Sequence, residues 1–128
     1  MKTTGKVKIY KCNICGNVVL MLEDSGVTPV CCGADMELLA AKTTDDYHEK
    51  HVPVITKDAG RVTVTVGEVI HPMTEMHYIK WILLETTKGI RKADLAPEEA
   101  PTAHFLLEDG EEVCAAYAYC NLHGLWMA

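Results

Sequence analysis

Histidine and cysteine residues stand at metal-binding spacings in the second half of the chain. His71, His77, Cys120 and His123 offer imidazole nitrogens and a thiolate, which suit iron, copper or zinc far better than calcium or magnesium. His51 brings the set to four nitrogens and one sulfur. Because a closed tetrahedral zinc site does not accept five donors, this set predicts a five-coordinate transition metal with one position open for reaction.

A second group of cysteines lies near the N-terminus. Cys12 and Cys15, with the adjacent pair Cys31 and Cys32, provide the four thiolates of a tetrahedral centre, and their spacing fits a structural zinc knuckle as well as mononuclear iron. Six cysteines in a short chain are also compatible with a secreted disulfide framework. The adjacent pair argues against disulfides, because a bridge between sequence neighbours requires a strained ring.

The two groups divide the chain of 128 residues. Residues 1–38 contain little apolar sequence, too little for a core without a metal crosslink. We therefore expect a small metal-bound domain at 1–38 and a second domain at 39–128, with a polar linker at about 39–48.

The formal net charge is −6, and residues 1–38 are balanced, so the negative charge belongs to the second domain. An acidic surface disfavours nucleic acid and repels anionic substrates unless a local positive charge compensates. The N-terminal residues form no apolar signal segment and no run approaches the length of a membrane span, so we expect a cytoplasmic protein without membrane contact.

The rest of the sequence predicts short strands. Residues 61–66 alternate valine with threonine, and in residues 76–84 we expect His77, Ile79, Trp81 and Leu83 to share one face. Only residues 94–100 are compatible with a helical turn. Further strands are predicted at 7–10, 18–22, 52–56, 103–108, 113–119 and 125–127. This pattern predicts an all-β fold, an antiparallel β-sandwich.

The motifs themselves resemble those of a known family. The matching segments are Glu49-Lys50-His51-Val52-Pro53, His71-Pro72-Met73, His77-Tyr78-Ile79, Cys120-Asn121-Leu122-His123-Gly124 and, near the N-terminus, Cys12-Asn13-Ile14-Cys15 with Cys31-Cys32. The later segments resemble superoxide reductases and the early ones resemble a desulforedoxin domain. Together they resemble the desulfoferrodoxins, which are two-iron superoxide reductases.

The resemblance implies a small desulforedoxin domain and an immunoglobulin-like, seven-stranded β-sandwich. It implies two mononuclear iron ions per chain. The ligands of the first, an FeS4 centre, would be Cys12, Cys15, Cys31 and Cys32. The ligands of the second, the catalytic iron, would be His51, His71, His77, Cys120 and His123. Three histidines would bind through Nε2 and His123 through Nδ1, with the thiolate axial.

The implied activity is the one-electron reduction of superoxide to hydrogen peroxide without production of dioxygen. Lys50 would attract superoxide and order a water that relays protons, and Glu49 would occupy the sixth position of the oxidised iron. The resemblance also implies a rubredoxin-type electron donor, a homodimer, and a catalytic centre that works in relatives lacking the four N-terminal cysteines.

Two other functions remain compatible with the residues alone: a rubredoxin-like electron carrier with a structural second metal, and a zinc-binding interaction module. The first leaves the charged pair Glu49 and Lys50 unexplained, and the second leaves five donors unexplained. Residues outside the motifs have ordinary interpretations. His48 and His104 are taken as surface or strand residues, Cys114 as a buried small apolar residue, and Tyr78, Trp81 and Tyr119 as core or cavity lining.

Overall fold

The computed structural model describes residues 7–44 and 50–128, and every regular element in them is a β-strand. The chain forms two compact units, Gly5–Ala40 and Ala41–Ala128. No helix of the described residues is long and apolar enough to cross a membrane. The predicted all-β class is therefore confirmed, whereas the domain bounds 1–38 and 39–128 stay a prediction.

The small unit is built from five very short strands. They are β1 (Ile9–Lys11), β2 (Val18–Leu20), β3 (Val30–Cys31), β4 (Ala34–Asp35) and β5 (Glu37–Leu38). Strand β1 lies between β2 and β5, and β3 pairs with β4 in a separate hairpin. The buried cluster of this unit contains Tyr10, Cys12 and Met36. So small a core agrees with the expectation that this unit needs a crosslink.

The large unit has seven strands in two antiparallel sheets. They are β6 (Pro53–Asp58), β7 (Arg61–Val66), β8 (Ile79–Thr86), β9 (Gly89–Asp94), β10 (Thr102–Leu106), β11 (Val113–Cys120) and β12 (Gly124–Met127). One sheet has the order β10-β7-β6 and the other the order β12-β11-β8-β9. All pairs within them are antiparallel. The predicted seven-stranded sandwich is confirmed.

The core of this unit consists of side chains from both sheets. Strand β7 contributes Val62, Val64 and Val66, all with no exposed surface, as the valine–threonine alternation predicts. Each such side chain contributes roughly 1.5–3 kcal/mol through burial. The rest of the cluster comes from β8, β10 and β11: Ile79, Ile82, Leu84, Ala103, Phe105, Ala116, Ala118 and Cys120. The thiol of Cys120 is thus part of the apolar core.

A β-bulge interrupts β8 where it begins. Tyr119 pairs with Trp81, but the next residue of β11, Cys120, pairs with Ile79, so β8 has one extra residue between the two pairs. Ile79 consequently packs in the core cluster, which contains neither Trp81 nor Leu83. The prediction that Ile79, Trp81 and Leu83 share one face was wrong, because regular alternation does not continue through a bulge.

Two further segments of the large unit differ from the prediction. Strand β9 was not predicted, since its side chains are exposed or half-buried and show no apolar alternation. Residues 94–100 form no helical turn. They contain the end of β9 and a turn in which the Glu99 N–H donates to the Ala96 carbonyl (3.2 Å), with Glu98 at a φ of 74°.

A buried carboxylate ties the loop before β11 to the neighbouring strands. Glu111 accepts hydrogen bonds from the Thr86 hydroxyl, from the Glu108 N–H at 2.8 Å, and from the Arg91 guanidinium at 3.2 Å. The Thr86 hydrogen bond, followed by the Glu108 N–H, holds the pKa of this carboxyl below its ordinary value of 4.5. The ionised form is therefore the one that stabilises the fold.

Replacing Glu111 with glutamine is expected to lower the Tm by about 4–8 °C at pH 7, because it weakens charge-assisted hydrogen bonds. Since folding lowers this pKa, the stabilisation is complete above pH 4.5 and is lost as the pH falls through the folded-state pKa. Calorimetry should therefore show a difference between the wild type and Glu111→Gln that shrinks on acidification. The exposed neighbour Glu112, changed to glutamine, is the control. Equal losses in the two variants would contradict this role for Glu111.

Candidate metal centres

The four N-terminal cysteines converge in the small unit, with all four sulfur atoms within 4.8 Å of one another. The Sγ atoms of Cys15 and Cys31 are 3.7 Å apart, and those of Cys31 and Cys32 are 4.0 Å apart. Four thiolates around a metal with bonds of about 2.3 Å would place their sulfurs about 3.8 Å apart. The arrangement therefore fits one tetrahedral metal ion.

Local backbone geometry produces this cluster. Cys12 directly follows β1 and Cys31 ends β3, while the other two cysteines are exposed. Cys32 adopts a left-handed φ of 54° and Gly33 follows at 75°, which lets two adjacent cysteines turn toward one point. All six cysteines of the chain are free thiols in this structure, so the disulfide framework is not formed.

The unequal pKa values of these thiols also favour a bound cation. Hydrogen bonds from the backbone N–H groups of Cys15 (3.4 Å) and Ile14 lower the pKa of Cys12 to about 6. Hydrogen bonds with Cys15, Cys12 and Cys31 raise the pKa of Cys32 to about 12. The Cys12 thiol is thus ready to ionise while the Cys32 thiol retains its proton. A bound cation removes this conflict, because it stabilises all four thiolates together.

The second group of donors lies at one end of the sandwich. Cys120 ends β11, while His51 and His77 each stand two residues before a strand, β6 and β8 respectively. One donor atom each of His51, His71, His77 and Cys120 lies within 4.8 Å of the others. In residues 7–44 and 50–128, this group and the four-cysteine group are the two that could hold a metal.

His123 completes the second group from the turn between β11 and β12. Its Nδ1 lies 3.1 Å from Nε2 of His51 and 3.8 Å from Sγ of Cys120. Adjacent nitrogens on a metal with bonds of about 2.1 Å and right angles would be about 3.0 Å apart. The position of His123 therefore fits a fifth ligand of the same metal ion, as its motif predicts.

The four imidazole rings are arranged as a square. Neighbouring ring centroids are separated by 4.8 Å (His51 and His71), 4.6 Å (His71 and His77), 5.0 Å (His77 and His123) and 5.0 Å (His123 and His51). The diagonal from His51 to His77 is longer, at 6.3 Å. Neighbouring rings are inclined by 67–84° to one another, so their edges converge on a common centre.

Two ring nitrogens in this square have no partner among the residues that the structure describes. Nε2 of His71 and Nε2 of His77 are buried and make no hydrogen bond to any of these residues. Nδ1 of His71 donates to the Pro72 carbonyl at 2.7 Å, which leaves its Nε2 lone pair unprotonated in the neutral ring. Buried polar atoms without partners are costly. Their orientation fits a metal ion, which accepts those lone pairs.

Burial keeps the two histidine donors His71 and His77 in the neutral form that a metal requires. It lowers the pKa of His71 to about 4 and, with the neighbouring His123 and His51, lowers the pKa of His77. Burial raises the pKa of the Cys120 thiol, while the N–H groups of His123 (3.4 Å) and Leu122 and the charge of Lys42 act against it. Those groups therefore favour the thiolate once a cation is present.

Lys50 adds a positive charge at this end of the sandwich. It directly precedes His51, is half-buried, and lies near enough to His77 to contribute to the lowered pKa of that ring. Glu49 and His48 lie outside the described residues, so the role predicted for Glu49 stays a prediction.

Four residues that received ordinary interpretations are His104, Cys114, Trp81 and Tyr119. His104 on β10 forms a hydrogen bond with the Thr63 hydroxyl (3.0 Å), and Cys114 is buried and belongs to neither metal group. Trp81 and Tyr119 stack on each other with their centroids 5.1 Å apart. Their ordinary interpretations agree with these positions.

Three residues contact the proposed ligands or their segments, which the sequence did not predict: Asn121, Trp126 and Lys42. Asn121 accepts from the Tyr78 N–H (2.9 Å) and donates to the Met76 carbonyl (3.1 Å), so it ties the segment of His77 to the segment of Cys120. Its place inside the Cys-Asn-x-His motif was the available signal. Lys42 and Trp126 carry no comparable motif.

Gly67 holds the segment of His51 against the end of β7. A Cβ atom on Gly67 would lie 2.4 Å from the Lys50 carbonyl oxygen and 2.3 Å from that of Val69. The backbone also has a φ of 86°, which disfavours side chains. Glycine is required here because the backbone of the ligand-bearing segment passes so close.

Gly67→Ala is expected to displace the backbone of Lys50 and to weaken metal binding at the histidine cluster by about tenfold or more. Gly110→Ala is the matched control, since Gly110 has a φ of 80° but open space around its Cβ position. Both variants should lose stability from the unfavourable φ, roughly 1–2 kcal/mol. Equilibrium metal titration should show the loss of affinity in Gly67→Ala alone. Equal affinity in the two variants would show that the close approach does not position the ligands.

Comparison with protein families gives two matches in chain order. Residues 4–39 match the model "Desulfoferrodoxin, N-terminal domain", and residues 43–128 match the model "Desulfoferrodoxin". Each match contains one of the two donor groups.

Individual relatives match over nearly the whole chain. A desulfoferrodoxin of Nitratidesulfovibrio vulgaris is 48% identical over 124 residues, which cover 97% of each chain. The crystal structure of the superoxide reductase from Treponema pallidum is 34% identical and superimposes with a TM-score of 0.83, covering 96% of this chain and 98% of that one. A one-iron superoxide reductase from Giardia intestinalis is 33% identical with a TM-score of 0.53, covering 62% of this chain and 95% of its own.

Proposed function

Because this chain belongs to the desulfoferrodoxin family, we propose that it is a superoxide reductase with iron at both donor groups. The reaction is the one-electron reduction of superoxide, in which superoxide, one electron and two protons give hydrogen peroxide. The observation that carries the proposal is the square of four imidazoles joined to a buried thiolate. Five donors leave one position of an octahedron for a small anion.

Iron bound at this site would supply the electron, and the protein selects the donors that make this possible. Burial keeps His71 and His77 neutral, so no added proton competes with the metal for their ring nitrogens. Cys120 provides an electron-rich sulfur with no exposed surface. This sulfur accepts a hydrogen bond from the His123 N–H, which withdraws part of its negative charge. This donor set suits iron better than it suits a hard cation.

Lys50 attracts the anionic substrate to the site. A protein with a net charge of −6 repels an anion at long range, and a lysine beside His77 reverses the local sign. The ammonium group also offers N–H donors that can hold a water from which peroxide takes its protons. Glu49, as a ligand of the oxidised iron, is a further part of the proposal.

The proposal also includes the electron donor, the assembly and the location. Return to the ferrous state requires a one-electron donor, for which we propose a rubredoxin-type protein. A homodimer is proposed on the basis of the family, and the exposed apolar residues Leu22 and Val27 of the small unit favour an association. A cytoplasmic location is supported by the six cysteines, none of which forms a disulfide, as is usual for proteins of a reducing compartment.

The two centres are expected to divide the work, which two cysteine variants test. Cys15→Ser should abolish the FeS4 spectrum but leave peroxide formation by pre-reduced protein within about twofold, because the histidine cluster has its own complete donor set. Cys120→Ser removes the soft donor and should reduce peroxide formation by at least about tenfold. Rapid mixing of the anaerobic, reduced proteins with superoxide measures both.

The reverse pattern, with Cys15→Ser inactive while its second iron is retained, would move the reaction to the FeS4 centre. Near-normal turnover by iron-loaded Cys120→Ser would remove the thiolate from the reaction. Either result would overturn the proposal.

Lys50→Ala is expected to slow the reaction of the ferrous protein with superoxide by roughly 3-fold to 100-fold, the range set by an effective dielectric between water and protein. The wild-type rate should fall as ionic strength rises, and Lys50→Ala should flatten that dependence. Lys50→Arg should keep most of the rate, because steering needs charge. The matched control is Lys57→Ala, an equal charge change on the far end of β6. Identical rates and salt slopes for Lys50→Ala and Lys57→Ala would exclude a steering role for Lys50.

A further inference from the structure

Trp126 of β12 contacts the imidazole of one proposed ligand, His51, and the backbone of another, His123. Its ring stacks on that of His51, with centroids 4.5 Å apart and planes inclined by 15°. Its Nε1–H donates to the His123 carbonyl at 3.2 Å. His51 and His123 are neighbours in the square, with nitrogens 3.1 Å apart. One buried side chain therefore touches both halves of this ligand pair.

Lys42 contacts both Trp126 and the His123 backbone. Its ammonium nitrogen lies 4.8 Å from the centroid of the Trp126 ring, within the range of a cation–π interaction. The same nitrogen donates to the His123 carbonyl at 3.1 Å, so this oxygen accepts from both Lys42 and Trp126. The lysine thus forms two contacts that most surface lysines lack.

The backbone of Lys42 is held in place as well. Its N–H donates to the Leu125 carbonyl (3.0 Å) and its carbonyl accepts from the Met127 N–H (2.9 Å). These bonds form a parallel bridge between Lys42 and Trp126 along the edge strand β12. The backbone bridge and the two ammonium contacts together place the exposed Lys42 side chain beside the metal ligands.

A fixed cation beside a redox centre favours the state that carries less positive charge, which is the reduced metal. A unit charge roughly 10 Å from such a centre changes the ratio of oxidised to reduced metal by about 2-fold to 16-fold as the effective dielectric falls from about 80 to about 20. The donors that hold metal-bound histidines in place also affect affinity, commonly by about 10- to 100-fold.

We infer that Lys42 and Trp126 are positioning residues of the histidine–cysteine centre: Trp126 fixes the orientation of His51 and His123, and Lys42, held by Trp126, favours the reduced state of the metal through its charge. This inference rests on the proposed ligand set. It assigns to the segment before β6 an electrostatic part in the centre that is distinct from the substrate-attracting part of Lys50.

Redox titration of the iron-loaded, full-length protein tests the charge. The signal is the visible band that disappears in Cys120→Ser. At a fixed ambient potential, Lys42→Gln should raise the ratio of oxidised to reduced iron by about 2-fold to 16-fold. Lys42→Arg keeps the charge and should stay near the wild type. Lys57→Gln makes the same change of net charge on an exposed strand end and should have no effect.

Removal of ferrous iron from the same centre by a chelator tests the tryptophan. Trp126→Leu loses both contacts and should release iron about 10- to 100-fold faster. Trp126→Phe keeps an aromatic ring for stacking and should fall between Trp126→Leu and the wild type.

Equal potentials for Lys42→Gln and Lys57→Gln, or for Lys42→Gln and Lys42→Arg, would overturn the electrostatic role. Release rates equal to the wild type in iron-loaded Trp126→Leu would overturn the positioning role. Neither measurement uses superoxide, so failure of the wild type to reduce superoxide would overturn the proposed function without deciding this one.

Discussion

Two imidazole nitrogens, Nε2 of His71 and Nε2 of His77, are buried without a hydrogen bond to any residue in 7–44 or 50–128, and they make one end of the β-sandwich depend on a cation. Burial of unpaired polar atoms is unfavourable, and the nearby thiol of Cys120 is buried as well. A metal ion converts these unfavourable groups into ligands. The strand ends β6, β8 and β11 are consequently joined where no continuous sheet joins them, since β6 and β8 belong to different sheets. We therefore expect metal binding to stabilise the fold at this end of the molecule.

The same principle applies to the small unit with a different outcome. The buried apolar cluster there consists only of Tyr10, Cys12 and Met36 among the described residues. A metal bound by the four cysteines would therefore replace most of a hydrophobic core. In the large unit the core exists independently, and the metal adds reactivity at its rim. A stabilising centre and a reactive centre therefore differ in what surrounds them as much as in their ligands. In the proposed function, the low exposure of Cys120 and the charge of Lys50 distinguish the second centre from the first.

Much of this structure could be predicted from the sequence, because local patterns encode it. The alternation in residues 61–66 predicted β7 with its observed bounds, and the motifs brought all nine proposed ligands into the two clusters. The bulge in β8 could not be predicted, since it depends on pairing with β11 rather than on its own residues. Strand β9 is an exposed edge strand and lacks an apolar pattern. Lys42 and Trp126 are 84 positions apart in the sequence, and only the parallel bridge of the fold unites them.

The central claim is that the four imidazoles and the Cys120 thiolate form a centre that reduces superoxide and never oxidises it. The most direct measurement is the yield of hydrogen peroxide and dioxygen after fully reduced protein is mixed anaerobically with less than one equivalent of superoxide per catalytic iron. Reduction predicts one peroxide for each superoxide consumed, no dioxygen, and one oxidised iron for each peroxide formed. Dioxygen in a one-to-one ratio with peroxide, with the iron still reduced at the end, would identify a dismutase and contradict the claim.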